Sequence, residues 1–378
     1  MNRSLASRPA RLLGPPQLAA LMTALAGRGY QLVAPTVSDG AISYEPVERL
    51  EELPVGSTME LEAGKCRLKK RRDKALFGYV VGPKSLKNYL HPPECRMVVA
   101  ERSNGAFRIL GQPAETPRYA FIGVRPCDLA AVEVQDRVLL NDRYADRIYQ
   151  SRRESAFWVA VNCTEPASPC FCASMGTGPR ARSGYDIVLT EIVDKAQSAF
   201  VAEAGSGAGE ELLAEIGAKE APEELCQTAE QAVRRAAAGM KRRLKTEGLR
   251  ELLYERFEDP HWDDVARRCL CCANCTLVCP TCFCVTFEDT SDVSGRRAER
   301  WRRWDSCFTQ SFSYIHGGSV RLSPKSRYRQ WLTHKLASWI DQFGTPGCVG
   351  CGRCIVWCPV GIDITQEAGA FRPVAIES

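Results

Sequence analysis

Residues 348–358 read CVGCGRCIVWC, followed at once by Pro359. Cysteines spaced two, two and three residues apart before a proline form the C-x2-C-x2-C-x3-C-P run, whose thiolates hold a cubane [4Fe-4S] cluster. The spacing recurs upstream, where Cys269, Cys272, Cys275 and Cys279 precede Pro280. In a chain with two such runs the fourth cysteine of each ligates the other cluster, because the proline turn sends the backbone toward its neighbour. One cluster is therefore expected on Cys269, Cys272, Cys275 and Cys358, and a second on Cys348, Cys351, Cys354 and Cys279. Cys271 is left spare. Paired C-x2-C units also build tetrahedral zinc sites, but two complete runs, each closed by proline, favour iron and sulfur.

The chain holds 19 cysteines, and others are grouped too. Cys127 in GVRPCDLAA follows a strand-like stretch, and VNCTEPASPCFCASMGTGP contributes Cys163, Cys170 and Cys172. A lone free cysteine is by default a small buried hydrophobe. Three thiols close together in a Pro- and Gly-rich segment point instead to ligands, so Cys127, Cys163, Cys170 and Cys172 are candidates for a third cluster. Cys282 and Cys284 in CPTCFC and Cys307 in RWDSCF form a further set beside the two runs. They read as supporting or redox-active thiols, with packing, or ligation of the third cluster, as alternatives. Cys66, Cys95 and Cys226 have no companions and read as structural. His91, His261, His316 and His334 lack metal-ligand spacing and read as packing or surface residues. SMGTGP suits a loop around a cluster better than an anion nest. No dinucleotide fingerprint, P-loop or nucleophile elbow is present.

Elements must bring these thiols together, and 378 residues, 45% of them hydrophobic, suffice for two or three domains with a real core. Between about 30 and 200, strand-like runs such as ALFGYVV, RMVVA, YAFIGV, FWVAV and DIVLTEI alternate with turn signals. The expected fold is α+β: a mixed α/β domain over 1–205, connecting helices over 206–260, and an all-helical dicluster ferredoxin domain over 261–378, where RYRQWLTHKLASWIDQFG has helical character. Closely grouped cysteines imply a reducing compartment. Pro15 and Pro16 break the N-terminal apolar run, so a first helix near Pro15 is expected rather than a targeting segment. No stretch approaches the roughly 18–20 apolar residues of a membrane span, and a cytoplasmic protein is expected. The net charge of +5 counts cysteines as neutral; anionic clusters would draw it toward zero. The basic run Arg296–Arg303 therefore reads as a solvated face or a docking surface for an acidic partner, not as a nucleic-acid site.

Taken together, GVRPCD, VNC…PCFCASMGTGP, CANCTLVCPTCFC, RWDSCF, SRYRQWLTHKL and GCVGCGRCIVWCPVGIDIT resemble one family, the beta subunits of cytoplasmic sulfhydrogenases with the kindred iron–sulfur subunits of anaerobic sulfite reductases. The resemblance spans about residues 30–365. It implies an electron-transfer protein with no catalytic residues of its own, holding two [4Fe-4S] clusters and a candidate third. Its partners would be a flavoprotein that oxidises NAD(P)H and a catalytic polypeptide, either a [NiFe] hydrogenase or a sirohaem sulfite reductase. Two other classes compete. A thiol or persulfide sulfur-handling protein would use Cys307 or the CFC cysteines, activated by Arg302 and Arg303. An iron–sulfur regulator would bring the Arg-rich run to DNA.

Overall fold

Tyr119–Val124 and Phe157–Val161 are apolar and buried at nearly every position, as strands covered on both faces must be. They form the middle of an eight-stranded sheet in the computed structural model, which describes residues 9–103, 105–110, 117–141, 143–194 and 197–372. The strand order is Lys219–Glu220, Arg11–Leu13, Gln197–Ala204, Ile187–Asp194, Phe157–Val161, Tyr119–Val124, Gln31–Ser38, Ala41–Pro46. Its four central strands, from Ile187–Asp194 to Gln31–Ser38, are parallel, and the flanking pairs are antiparallel. Parallel neighbours finish at the same edge. The chain leaves Val124 into Arg125-Pro126-Cys127 and leaves Val161 into Asn162-Cys163, so two thiols arrive side by side at the carboxyl ends of adjacent strands, the usual ligand edge of such sheets.

Helices cover the sheet. Pro15–Gly27 opens with proline at its first turn, where a missing N–H costs nothing. Pro126–Leu139 and Arg147–Glu154 make the crossover between the two central strands. Gly207–Glu215, Glu223–Ala238 and Leu249–Glu255 follow the last long strand.

The section after residue 261 is not all-helical. It contains helices, among them His261–Arg268, Pro324–Thr333 and Trp339–Phe343. It also contains the antiparallel hairpin Val285–Ser291 and Arg297–Trp304, which joins Glu94–Ser103 and Ala106–Leu110 in a four-stranded sheet. Opposite charges meet across the ladder of VTFEDTS and RAERWRRW, directly in Arg300–Asp289 and diagonally in Arg303–Glu288. The helical period of residues 324–343 does not extend to this earlier part of the insert. A second apolar core, containing Trp262, Phe308, Trp331, Leu332 and Ile355, lies against the cysteine runs. Among the described residues no helix is long and apolar enough to cross a membrane.

Candidate metal centres

The two cysteine runs fold alike, position by position. Two residues after its first cysteine each run enters the left-handed region, at Cys271 (φ 51°) and Gly350 (φ 65°), and does so again at Ala273 (φ 66°) and Gly352 (φ 75°). Each then makes one helical turn, Asn274–Leu277 or Arg353–Val356. These reversals aim backbone N–H groups at sulfur: Cys271 N–H donates to Cys269 Sγ at 3.4 Å and Gly350 N–H to Cys348 Sγ at 3.5 Å. Ile362 N–H likewise donates to Cys358 Sγ at 3.3 Å. Such donors stabilise thiolate charge and tune cluster potential. The spare Cys271 thus contributes its backbone.

Cys269, Cys272, Cys275 and Cys358 line one cavity of about 420 Å³, walled by Phe308, Tyr328 and Trp331, with Cys354 at its back. Cys272 is solvent-exposed. Burial pushes the Cys275 thiol well above its ordinary range and Cys269 up to about 11. Thiols this reluctant to ionise alone become ligands when a metal replaces the proton.

The second set also converges, since Cys348, Cys351 and Cys354 each lie within electrostatic reach of Cys279. Burial lifts Cys348 to about 12. Cys279 is held low by a hydrogen bond from the Cys282 thiol, helped by Lys335 and Thr281. Lys335 sits in a π-helical turn, His334–Ser338, of the kind found at functional positions. Its ammonium is buried and donates to Cys279 Sγ at 3.2 Å and Thr281 Oγ1 at 3.0 Å. No carboxylate pairs with it among the described residues. An isolated buried ammonium costs several kcal/mol, and an anionic cluster on Cys279 would provide its counter-charge.

Cys127, Cys163, Cys170 and Cys172 line a second cavity of about 420 Å³, together with Arg125, Arg353, Cys351 and Met240. Burial raises all four thiols, Cys170 to about 12. Arg125 is buried; its guanidinium donates to the Phe77 and Tyr79 carbonyls, both at 2.6 Å, while its Nε has no partner. No carboxylate forms an ion pair with it among the described residues, although Glu191 lies within electrostatic reach, and a cation beside these thiols fits an anionic metal–thiolate group. Arg353 makes a bidentate buried pair with Asp128 at 2.6 and 3.0 Å. The SMGTGP loop wraps this cavity. Thr177 Oγ1 donates to Val349 O at 2.6 Å, and a Cβ on Gly178 would lie 2.9 Å from Cys172 Sγ. Among the described residues no three His, Cys, Asp or Glu side chains converge tightly enough to hold a single metal ion.

The remaining candidates divide. Cys282 and Cys284 enter the hairpin and Cys307 follows it. Arg302 pairs with Asp146, and Arg303 with Glu288 and Glu94; the charge acting on Cys284 and Cys307 is that of Lys335. Arg297 and Arg300 are also carboxylate-paired, which consumes much of the basic run. Cys66 packs against the Met59 sulfur at 3.7 Å. His91 and His334 are held neutral by burial, His261 contacts Glu367 at 2.9 Å, and His316 occupies a turn. Sequence reasoning missed Lys87, Lys335, Arg125 and Arg353. The signal available was a charged residue inside an apolar helix or next to a ligand cysteine.

Paired cysteine runs, sulfur-directed amides and unpaired buried cations define an iron–sulfur protein of the electron-transfer class. Residues 268–362 match the family model described as a 4Fe-4S dicluster domain. Over 259 residues the chain is 36% identical to Sulfhydrogenase 2 subunit beta of Pyrococcus furiosus, an alignment covering 68% of this chain and 74% of that protein. The chain belongs to the sulfhydrogenase beta-subunit family. No solved structure matches it.

Proposed function

We infer that the protein is a three-station wire inside an oxidoreductase complex. Cys269, Cys272, Cys275 and Cys358 hold the outer station, Cys348, Cys351, Cys354 and Cys279 the middle one, and Cys127, Cys163, Cys170 and Cys172 the inner one. The supporting observation is shared walls: Cys351 lines the inner cavity and Cys354 lines the outer one, so the middle ligand set touches both neighbours. A [4Fe-4S] cluster at each station would supply one-electron redox chemistry. The chain's own residues hold and bias that chemistry. Lys335 and Arg125 favour added negative charge, the amides of Cys271, Gly350 and Ile362 bond to sulfur, and the aromatic wall of Phe308, Tyr328 and Trp331 limits water. The exposed Cys272 marks the outer station as the end nearest a partner.

The partners that fit are a flavoprotein oxidising NAD(P)H at one end and, at the other, a catalytic polypeptide. The likeness to a sulfhydrogenase component favours a [NiFe] hydrogenase over a sirohaem sulfite reductase. The test is iron analysis and reduced-state EPR of the anaerobically purified chain with Cys163 and Cys172 both replaced by serine. Loss of about four irons, with the other two cubane signals intact, is expected. Unchanged iron would shorten the wire to two stations, and stoichiometric zinc in place of iron would end the reading. Copurification with flavoprotein and hydrogenase subunits from the native host tests the partners.

A further inference from the structure

Three thiols, Cys282, Cys284 and Cys307, and one buried lysine, Lys87, remain unused by this wire. Cys284 immediately precedes Val285 and Cys307 lies three residues after Trp304, and Val285 and Trp304 are paired across the hairpin. Asp305 N–H donates to Cys284 O at 2.8 Å, which continues the ladder and holds the two cysteine-bearing segments together. The Cys307 thiol and backbone N–H lie close enough to the Cys284 sulfur to hold its pKa down. Cys282 donates to Cys279 of the middle station, and Cys307 lies within electrostatic reach of Cys275 of the outer one. Cys284 lies within electrostatic reach of Cys282, so the pair stands between the two thiol sets.

Its surroundings are cationic. Besides Lys335, Lys87 is buried, with Nζ 3.7 Å from the centre of the Trp304 ring and donating to Leu277 O at 3.2 Å. Cys279, Cys282 and Cys284 are the anionic groups acting on it. Burial lowers the Lys87 ammonium to about 8, and Cys284 is held down to about 7 by its hydrogen bond with Cys307.

The geometry points to Cys284 and Cys307 as a redox-active dithiol that closes reversibly to a disulfide at the base of the hairpin, exchanging electrons with the flanking stations. One S–H bond breaks and one S–S bond forms; one proton leaves, and two electrons pass, one to each neighbouring [4Fe-4S] centre. The inference rests on the wire reading for its electron acceptors. It gives the wire a two-electron store between one-electron carriers.

The test uses the full chain with its clusters, poised anaerobically with dithionite or with a mild oxidant, quenched in acid, alkylated, and mapped by peptide mass spectrometry. Cys284 and Cys307 should be alkylated in the reduced sample and recovered as one cross-linked peptide in the oxidised sample. Equal alkylation in both samples overturns the inference. Cys284→Ser and Cys307→Ser should abolish the cross-link and keep the full iron content. Loss of about four irons from either variant would make these cysteines cluster ligands and overturn the dithiol. If a variant fails to fold, the labelling of the unaltered chain decides alone. Iron content of that chain reads the wire separately, so failure of one does not pass for failure of the other.

Discussion

Two thiol-lined cavities of the same size, about 420 Å³ each, are built in opposite ways. The outer one draws three of its four cysteines from seven consecutive residues, with the turn conformations written into the same run. The inner one draws Cys127 and Cys163 from the ends of two parallel strands and Cys170 and Cys172 from a loop seated on the second run. The first kind of site takes most of its thiols from one run. The second exists only when the sheet is in register and the loop is docked, so changes at that contact should separate the two.

The largest separation is expected at glycines of the second run. A Cβ on Gly352 would lie 2.5 Å from Pro169 O, and one on Gly350 2.7 Å from the backbone of Phe171 and Cys172, both at positive φ. Backbone atoms cannot rotate away, so Gly352→Ala should destabilise the fold by about 3 kcal/mol or more and displace the inner thiols. Ala273, the matching residue of the first run, already tolerates φ 66°. Ala273→Gly should change stability by no more than about 1 kcal/mol. Anaerobic thermal unfolding of the two variants checks this; equal effects would mean that the docked loop does not distinguish the runs.

That asymmetry also explains what the sequence could show. The two runs were legible because their pattern is a matter of spacing along the chain, and the structure brings Cys358 to the cavity of Cys269, Cys272 and Cys275 and Cys279 near Cys348, Cys351 and Cys354. The inner set was legible only as a cluster of thiols in a turn-rich segment, because the adjacency of Cys127 to Cys163 is created by the pairing of Tyr119–Val124 with Phe157–Val161. The hairpin inside the insert departs from the all-helical expectation for 261–378. Its strands are rich in charge, with no clean apolar alternation, and pair with Glu94–Ser103, nearly two hundred residues earlier. Lys335 reads in sequence as one more helical lysine, and only the π-turn brings its ammonium to Cys279.

The proposed middle station offers a second way to sharpen the contrast, through charge. Lys335 Nζ lies 3.2 Å from Cys279 Sγ and is buried. Reduction adds an electron to a site that this cation stabilises, so Lys335→Met should make the middle cluster harder to reduce. The shift should be on the order of 100 mV more negative, from Coulomb interaction at the effective dielectric of a protein interior. EPR-monitored potentiometry should find the outer station shifted less and the inner one least. A uniform shift of all three would mean general loosening and not a local charge effect.

The smallest expected effect lies at the seam between the two regions. His91 is buried, its carbonyl accepts the Trp304 indole N–H at 2.8 Å, and neither ring nitrogen has a hydrogen-bond partner. Burial, reinforced by the nearby Arg302 charge, pulls its pKa from the ordinary 6.5 down to about 3, and Asp146 at 4.0 Å does not restore it. The folded chain therefore keeps this imidazole neutral at a pH where the unfolded chain protonates it. Stability contributed by the neutral ring is fully present above about pH 6.5 and declines as pH falls toward 3, because the unfolded state binds the extra proton. Between pH 7 and pH 5 the loss from this one group should be about 2 kcal/mol. Anaerobic urea unfolding of the intact chain and of His91→Gln at the two pH values isolates it. The variant should be less stable at pH 7 but lose about 2 kcal/mol less on acidification. Identical slopes would show that the seam opens and solvates His91 before the domains unfold, making the two regions separable units and not one packed body.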